Sequence, residues 1–167
     1  QAVLGFQLVR TSLQEAKAIA DTSAMVTILE AMGNLHSIEE NYEQALEMEN
    51  QALALVGLSS SRDADAELYI YNNAGTYALK LGMSELAENY VLTGVEAIEA
   101  SAYPSQFLYP YFTLGEIYMA QNAPAKARGY FRKAGNLLDS LVLEEEKAVA
   151  LEAKSIEALL LGRMEES

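Results

Sequence analysis

The 167-residue chain has no cysteine, no tryptophan, one histidine, three prolines, and eleven basic side chains against twenty-four acidic ones. Each shortage excludes something. Without cysteine there is no disulfide framework, no thiolate nucleophile and no cysteine-ligated zinc. With His36 alone, neither a histidine-based triad nor a two-histidine metal site can form within the chain. A formal charge of -13 repels nucleic-acid phosphate and the anionic face of a membrane, so neither is expected as a partner. No apolar run approaches the roughly 20 residues that cross a bilayer, and no basic stretch followed by an apolar core reads as a signal peptide. A soluble chain is expected, with the cytoplasm the favoured compartment. The glycines at 33, 75 and 115 are isolated in helical patterns rather than clustered after a strand, so no phosphate cradle is present. Nothing supports a cofactor or a metal, and the expectation is a protein that is not an enzyme.

What is present is helix-forming. Hydrophobic residues make up 51% of the chain, enough to bury a core, and alanine, leucine and glutamate dominate, the residues that lose least on entering a helix. An all-α fold follows. The pattern repeats: Met32-Gly33-Asn34-Leu35-His36 returns as Ala74-Gly75-Thr76-Tyr77-Ala78 and as Leu114-Gly115-Glu116-Ile117-Tyr118, the glycines lying 42 and then 40 residues apart. After each glycine come a break, a small residue in the next helix and another small residue seven further on: Ala45 and Ala52, Ala87 and Gly94, Ala127 and Ala134. Seven residues is two helical turns, so each pair lies on one stripe where a neighbouring helix can approach closely. The breaks carry their own signals, with Gly82 suited to a left-handed C-cap, Asn41, Ser84 or Asn122 able to cap the next helix, and Pro124 tolerated in a first turn.

This grammar predicts eight helices, at 2–20, 22–37, 41–57, 62–80, 84–100, 104–120, 124–140 and 144–161, with a break at Gly162 and the last residues opening a ninth. It forms one repeat domain over 1–167: a partial unit at 1–20, units at 22–60, 62–102 and 104–142, and a partial unit at 144–167. In the partial units Gly5 and Ser12 take the small positions and Ser155 stands where a glycine is expected. Because the register starts and stops inside a unit, the chain is expected to be a segment of a longer protein.

These residues resemble the tetratricopeptide repeat family. The third unit carries Leu114-Gly115, Tyr118, Ala127, Phe131 and Ala134 at the family's spacing, the first Met32-Gly33, Tyr42, Ala45-Leu46 and Ala52-Leu53, and the second Ala74-Gly75, Gly82, Ala87 and Gly94. The units are longer than the family's usual 34 residues, which is similar to the extended form in kinesin light chains, spindle-orientation adaptors and bacterial signalling and transcription regulators. The resemblance implies a right-handed α-solenoid of antiparallel helix pairs, with Leu58 to Arg62 lengthening the helices and the linker. It also implies that the first helix of each unit lines a concave surface.

Helical periodicity around the glycines then gives an inward set: Thr27, Glu30 and Asn34; Tyr69, Asn72, Asn73, Thr76 and Lys80; Tyr109, Phe112, Glu116 and Met119. Asparagine can donate to and accept from the main chain of an extended peptide, and aromatic rings offer rigid contact area. The other reading is that the tyrosines fill gaps between units and the asparagines bond locally; Tyr71 and Tyr77 are read as packing residues, and alanine at Asn73 or Tyr109 is expected to weaken capture without changing melting. A clamp for a C-terminal carboxylate is not expected, since Lys80 is nearly alone among acids. His36 stands where Tyr118 stands in the third unit and is read as packing. Glu144 to Glu146 fit the first turn of a helix. The basic run from Lys126 to Lys133 is read as a solvated outer face. The implied function is a protein-protein or peptide-binding scaffold, the regulatory or sensing region of a larger signalling or transcription-regulator protein. The alternative is an architectural module that self-associates through apolar faces at the end helices, at Leu4, Phe6 and Leu8 and at Leu159 to Leu161.

Overall fold

The computed structural model describes residues 2–58, 64–98 and 103–165. Among them there are eight α-helices and no strand: α1 (Ala2–Ala18), α2 (Thr22–Ile38), α3 (Tyr42–Leu58), α4 (Ala64–Lys80), α5 (Ser84–Ile98), α6 (Leu108–Ala120), α7 (Pro124–Gly135) and α8 (Glu144–Glu165). Each helix packs mainly on the next in sequence, and α4, α6 and α8 also touch in a row. The result is an all-α repeat of stacked helix pairs. Ser59 to Arg62 lie outside the described residues.

Four of the interhelical turns are one motif repeated. Ala20, Glu40, Gly82 and Asn122 take left-handed backbone conformations, with φ of 54°, 59°, 76° and 55°. In each, the next residue's N–H donates across the turn to the end of the preceding helix: Asp21 to Ala16 at 3.0 Å, Asn41 to His36 at 2.9 Å, Met83 to Ala78 at 2.9 Å and Ala123 to Tyr118 at 2.8 Å. This is the Schellman ending, which satisfies carbonyls a helix terminus would otherwise leave unpaired. Gly82 has the expected role. Asn122 does not cap α7: it occupies the left-handed position itself, and Ala123 precedes the helix with no side-chain cap. Asn41 also makes no cap, its amide donating instead to Glu39 at 3.3 Å. Asp21 does cap, accepting from the Ala24 N–H at 2.9 Å.

Three helix ends differ from the sequence reading. Pro110 has no N–H for the carbonyl four residues back, so the predicted start of α6 is a 3₁₀ turn, Pro104–Phe107, and the α-helix begins at Leu108. Helix α7 stops at Gly135, where Gly135-Asn136 weakens helix propensity, and a second 3₁₀ turn, Leu138–Ser140, leads into extended Leu141. Gly162 breaks nothing: α8 runs through it to Glu165, because Arg163, Met164 and Glu165 all favour helix.

The small residues sit at equivalent crossings in all three units. A Cβ on Gly33 would lie 2.8 Å from Glu49 Oε1, one on Gly75 would collide with Val91 Cγ2, and one on Gly115 would lie 2.6 Å from Phe131 Cε1. The facing residue is sixteen positions along each time. Ala45, Ala87 and Ala127 are fully buried beside these contacts. Gly5 makes no such crossing, since its nearest neighbour, Leu35, is an ordinary 3.8 Å away.

Burying the α6–α7 layer, with Leu108, Leu114, Ile117 and Phe131 sealed from solvent, contributes roughly 1.5–3 kcal/mol per large side chain. At the ends, Leu8, Leu159 and Leu161 are exposed as anticipated. Leu160, one step further round α8, is buried, and Phe6 is half-buried with its ring 4.7 Å from that of His36. The Leu4 side chain is outside the description. Among the described residues, no helix is long and apolar enough to cross a membrane.

Gly129 meets nothing within 4 Å, so it separates helix propensity from packing. Gly129→Ala is expected to stabilise by about 0.5–1 kcal/mol, whereas Gly115→Ala forces Phe131 aside and is expected to destabilise by about 1–3 kcal/mol. Urea unfolding of the two variants checks both signs.

Candidate functional site

Stacking three first helices side by side aligns residues one unit apart. Tyr69 on α4 and Tyr109 on α6 are such a pair, and both rings remain about half exposed, at 51% and 47%. They line a cavity of about 510 Å³ with Leu68, Asn72 and Asn73 of α4, Ser105 and Gln106 of the 3₁₀ turn, and Pro110 of α6. Two carboxylates complete the wall, Asp65 from the start of α4 and Glu146 from the first turn of α8.

Four of the twelve inward residues therefore converge: Tyr69, Asn72, Asn73 and Tyr109. The rest lie elsewhere. Asn34 accepts a hydrogen bond from the Tyr77 hydroxyl at 3.0 Å, tying the first unit to the second. Thr76 donates to the Asn72 carbonyl of its own helix at 2.9 Å, and Thr27 donates to Ser23 in the same way at 3.2 Å. Phe112 packs edge-on against Phe131, the centroids 5.4 Å apart, so it belongs to the core. Lys80 and Glu116 face each other electrostatically, and Met119 is exposed outside the cavity. Asp65, Leu68, Ser105, Gln106, Pro110 and Glu146 were not anticipated.

Nor was Glu49, which occupies on α3 the place that Val91 and Phe131 hold in the other units. Its side chain is fully buried. Asn73 donates to Oε1 at 3.4 Å, and Oε2 has no hydrogen-bond partner. Burial, and then the neighbouring Glu30, push its carboxyl up to about 8, against the pull of the Asn73 amide. The acid is thus neutral through most of the ordinary pH range. The signal was legible: one acid in a column otherwise filled by valine and phenylalanine. Because Asn73 both lines the cavity and holds Glu49, alanine there also strips a buried carboxyl of its donor, and melting must change.

The tyrosines read as packing residues do pack. Tyr77 is 4% exposed, and burial followed by the charge of Glu49 pushes its hydroxyl up to about 12. Tyr71 lies 6.5 Å from the Tyr90 ring. The basic run on α7 is not simply solvated. Lys133 lies 4.7 Å from the Tyr130 centroid and 5.2 Å from that of Tyr111, Lys126 sits 4.8 Å from the Tyr118 centroid, and Arg128 pairs with Glu157 at 3.4 Å. These cations extend a ring stack that includes Phe107 on Tyr111 and Tyr118 on Tyr130, each 5.4 Å apart. Glu88 braces it from α5, accepting from the Tyr118 hydroxyl at 2.5 Å and from Gln121 at 2.8 Å, and the Tyr118 bond holds its carboxyl below the usual range. Among the described residues, no group of three or more His, Asp or Glu is placed to hold a metal ion.

The fold is shared with a known structure. The crystal structure of BtubC (BKLC) from P. vanneervenii superposes with a TM-score of 0.78 at 16% sequence identity, covering 98% of this chain and 66% of that one. At that identity the likeness is one of fold. This chain spans just under two thirds of the neighbour's length. No family model and no curated protein matches the sequence.

Glu49 makes stability depend on pH in a definite direction. A folded-state value near 8 against an unfolded 4.5 means that the folded chain binds the extra proton between those limits. The stability this proton contributes is therefore fully present below about 4.5 and lost as pH rises towards 8, at up to about 1.4 kcal/mol per pH unit. Glu49→Gln, which keeps an acceptor for Asn73 but cannot ionise, is expected to match the wild type in stability near pH 5 and to exceed it increasingly towards pH 8. Denaturant melts across that range read the difference.

Proposed function

We propose that this chain is a non-catalytic, tetratricopeptide-type interaction scaffold that holds an extended segment of another protein against the concave surface formed by α4 and α6. The observation that carries the reading is the aromatic pair Tyr69 and Tyr109, set one unit apart and half exposed, lining a cavity together with the amides of Asn72, Asn73 and Gln106. Two exposed rings on a rigid helical row provide contact area at low entropic cost, and neighbouring amides can meet the donors and acceptors of an extended backbone. The known structure of similar fold supports the solenoid frame on which such a surface is built. In this reading the array is the regulatory or sensing part of a larger signalling protein.

A second reading has its own support: Leu151, Leu159, Leu161 and Met164 are exposed on α8, the end helix through which copies of the chain could stack. In a selection from a displayed library of linear peptides, the wild type is expected to enrich binders. Tyr69→Ala and Tyr109→Ala should each weaken them by about tenfold or more while leaving the melting midpoint within about 2 °C. Retained binding in both variants removes the groove reading. A chain that sediments as a monomer at high concentration removes the stacking one.

A further inference from the structure

The proposed groove has a charge character that narrows its occupant. Asp65 and Glu146 stand in the cavity wall, and among the described residues none that lines it is basic. Glu145 joins Glu146 in acting on the Tyr109 hydroxyl, and Glu116 and Glu152 extend the acidic surface along α6 and α8, answered by Lys80. On α7, Lys126 and Lys133 lie against their own aromatic stack, and Arg128 pairs with Glu157. The side-chain carbonyl oxygen of Asn72, one of the lining residues, is sealed from solvent and has no hydrogen-bond partner. Its terminal torsion is soft, so it can turn to an arriving donor.

Resting on the scaffold reading above, we propose that the groove takes a cationic extended peptide, one of whose Lys or Arg side chains lies between the rings of Tyr69 and Tyr109 with its charged end toward Glu146. Each feature has a part in this. Tyrosine faces attract a cation within about 6 Å of the ring centroid, and two tyrosines from successive units line the same cavity. A carboxylate at the head of α8 supplies the charge partner, and a guanidinium or ammonium brings donors for Asn72 and no acceptor to conflict with the acidic wall. An acidic peptide would meet like charge from Asp65, Glu145 and Glu146, so the same wall that admits a cation repels an anion. Because the chain carries -13 overall, diffuse attraction of any basic peptide must be separated from seating in the groove.

The experiment uses fluorescent ten-residue peptides of Gly and Ser carrying four lysines, four arginines, four glutamines or four glutamates, titrated by anisotropy. The lysine or arginine peptide is expected to bind at least tenfold more tightly than the glutamine one, and the glutamate peptide not at all. Tyr109→Ala and Glu146→Lys should each weaken that binding at least fivefold. Glu85→Lys, the same charge change at an exposed site on α5, should leave it within twofold. Circular dichroism confirms that each variant is folded. If Glu85→Lys weakens binding as much as Glu146→Lys, the attraction is diffuse and the proposal is overturned. If the glutamine or glutamate peptide binds as well as the basic ones and Tyr109→Ala abolishes it, the groove stands and the cationic occupant is wrong. If no peptide binds, both readings fall.

Discussion

Everything in this molecule depends on how closely two helices of one unit approach. At Gly33, Gly75 and Gly115 a hydrogen replaces a side chain, and the residue sixteen positions on fills the hollow. That interlock sets the separation and angle of each pair. Repeated every forty-odd residues, it brings first helices into a row, and the row places Tyr69 beside Tyr109. The groove is therefore a consequence of backbone spacing, and its chemistry is added by whichever side chains the row leaves uncovered.

One unit uses the hollow differently. Where the second and third units insert valine and phenylalanine, the first inserts Glu49, whose burial is tolerable as a neutral acid held by Asn73. Asn73 belongs to the next unit and also to the cavity, so a hydrogen bond between units runs directly beneath the candidate binding surface. Stability and recognition share a side chain there. That arrangement breaks the local rule of an apolar core, and such departures are where proteins tend to place function.

The fold was legible because small residues recurring at a fixed period in a helix-rich chain mark the same helix crossing made again and again. Less legible was whatever depended on backbone geometry without a distinctive residue. The left-handed turn position is filled by Ala20, Glu40, Gly82 and Asn122, and of these glycine alone announces it. The 3₁₀ start before α6 follows from Pro110, a residue that periodicity counts as merely another helical position. Periodicity found Tyr69, Asn72, Asn73 and Tyr109, since exposure on a first helix is a matter of phase. It misplaced Phe112, because a ring large enough to reach Phe131 turns into the core from the same stripe. Glu146 and Gln106 enter the site from other elements, and a reading confined to one helix at a time cannot bring them in.

The interlock is tested most directly by a double-mutant cycle at the second crossing, Gly75→Ala with Val91→Ala. In the wild type the added methyl collides with Val91, and a cost of about 1–3 kcal/mol is expected. With Val91 truncated the methyl has room, so Gly75→Ala should cost far less, giving a coupling energy of about 1 kcal/mol or more. Costs that add to within about 0.5 kcal/mol would mean that the two residues do not meet, and the stacked architecture built on their meeting would be contradicted.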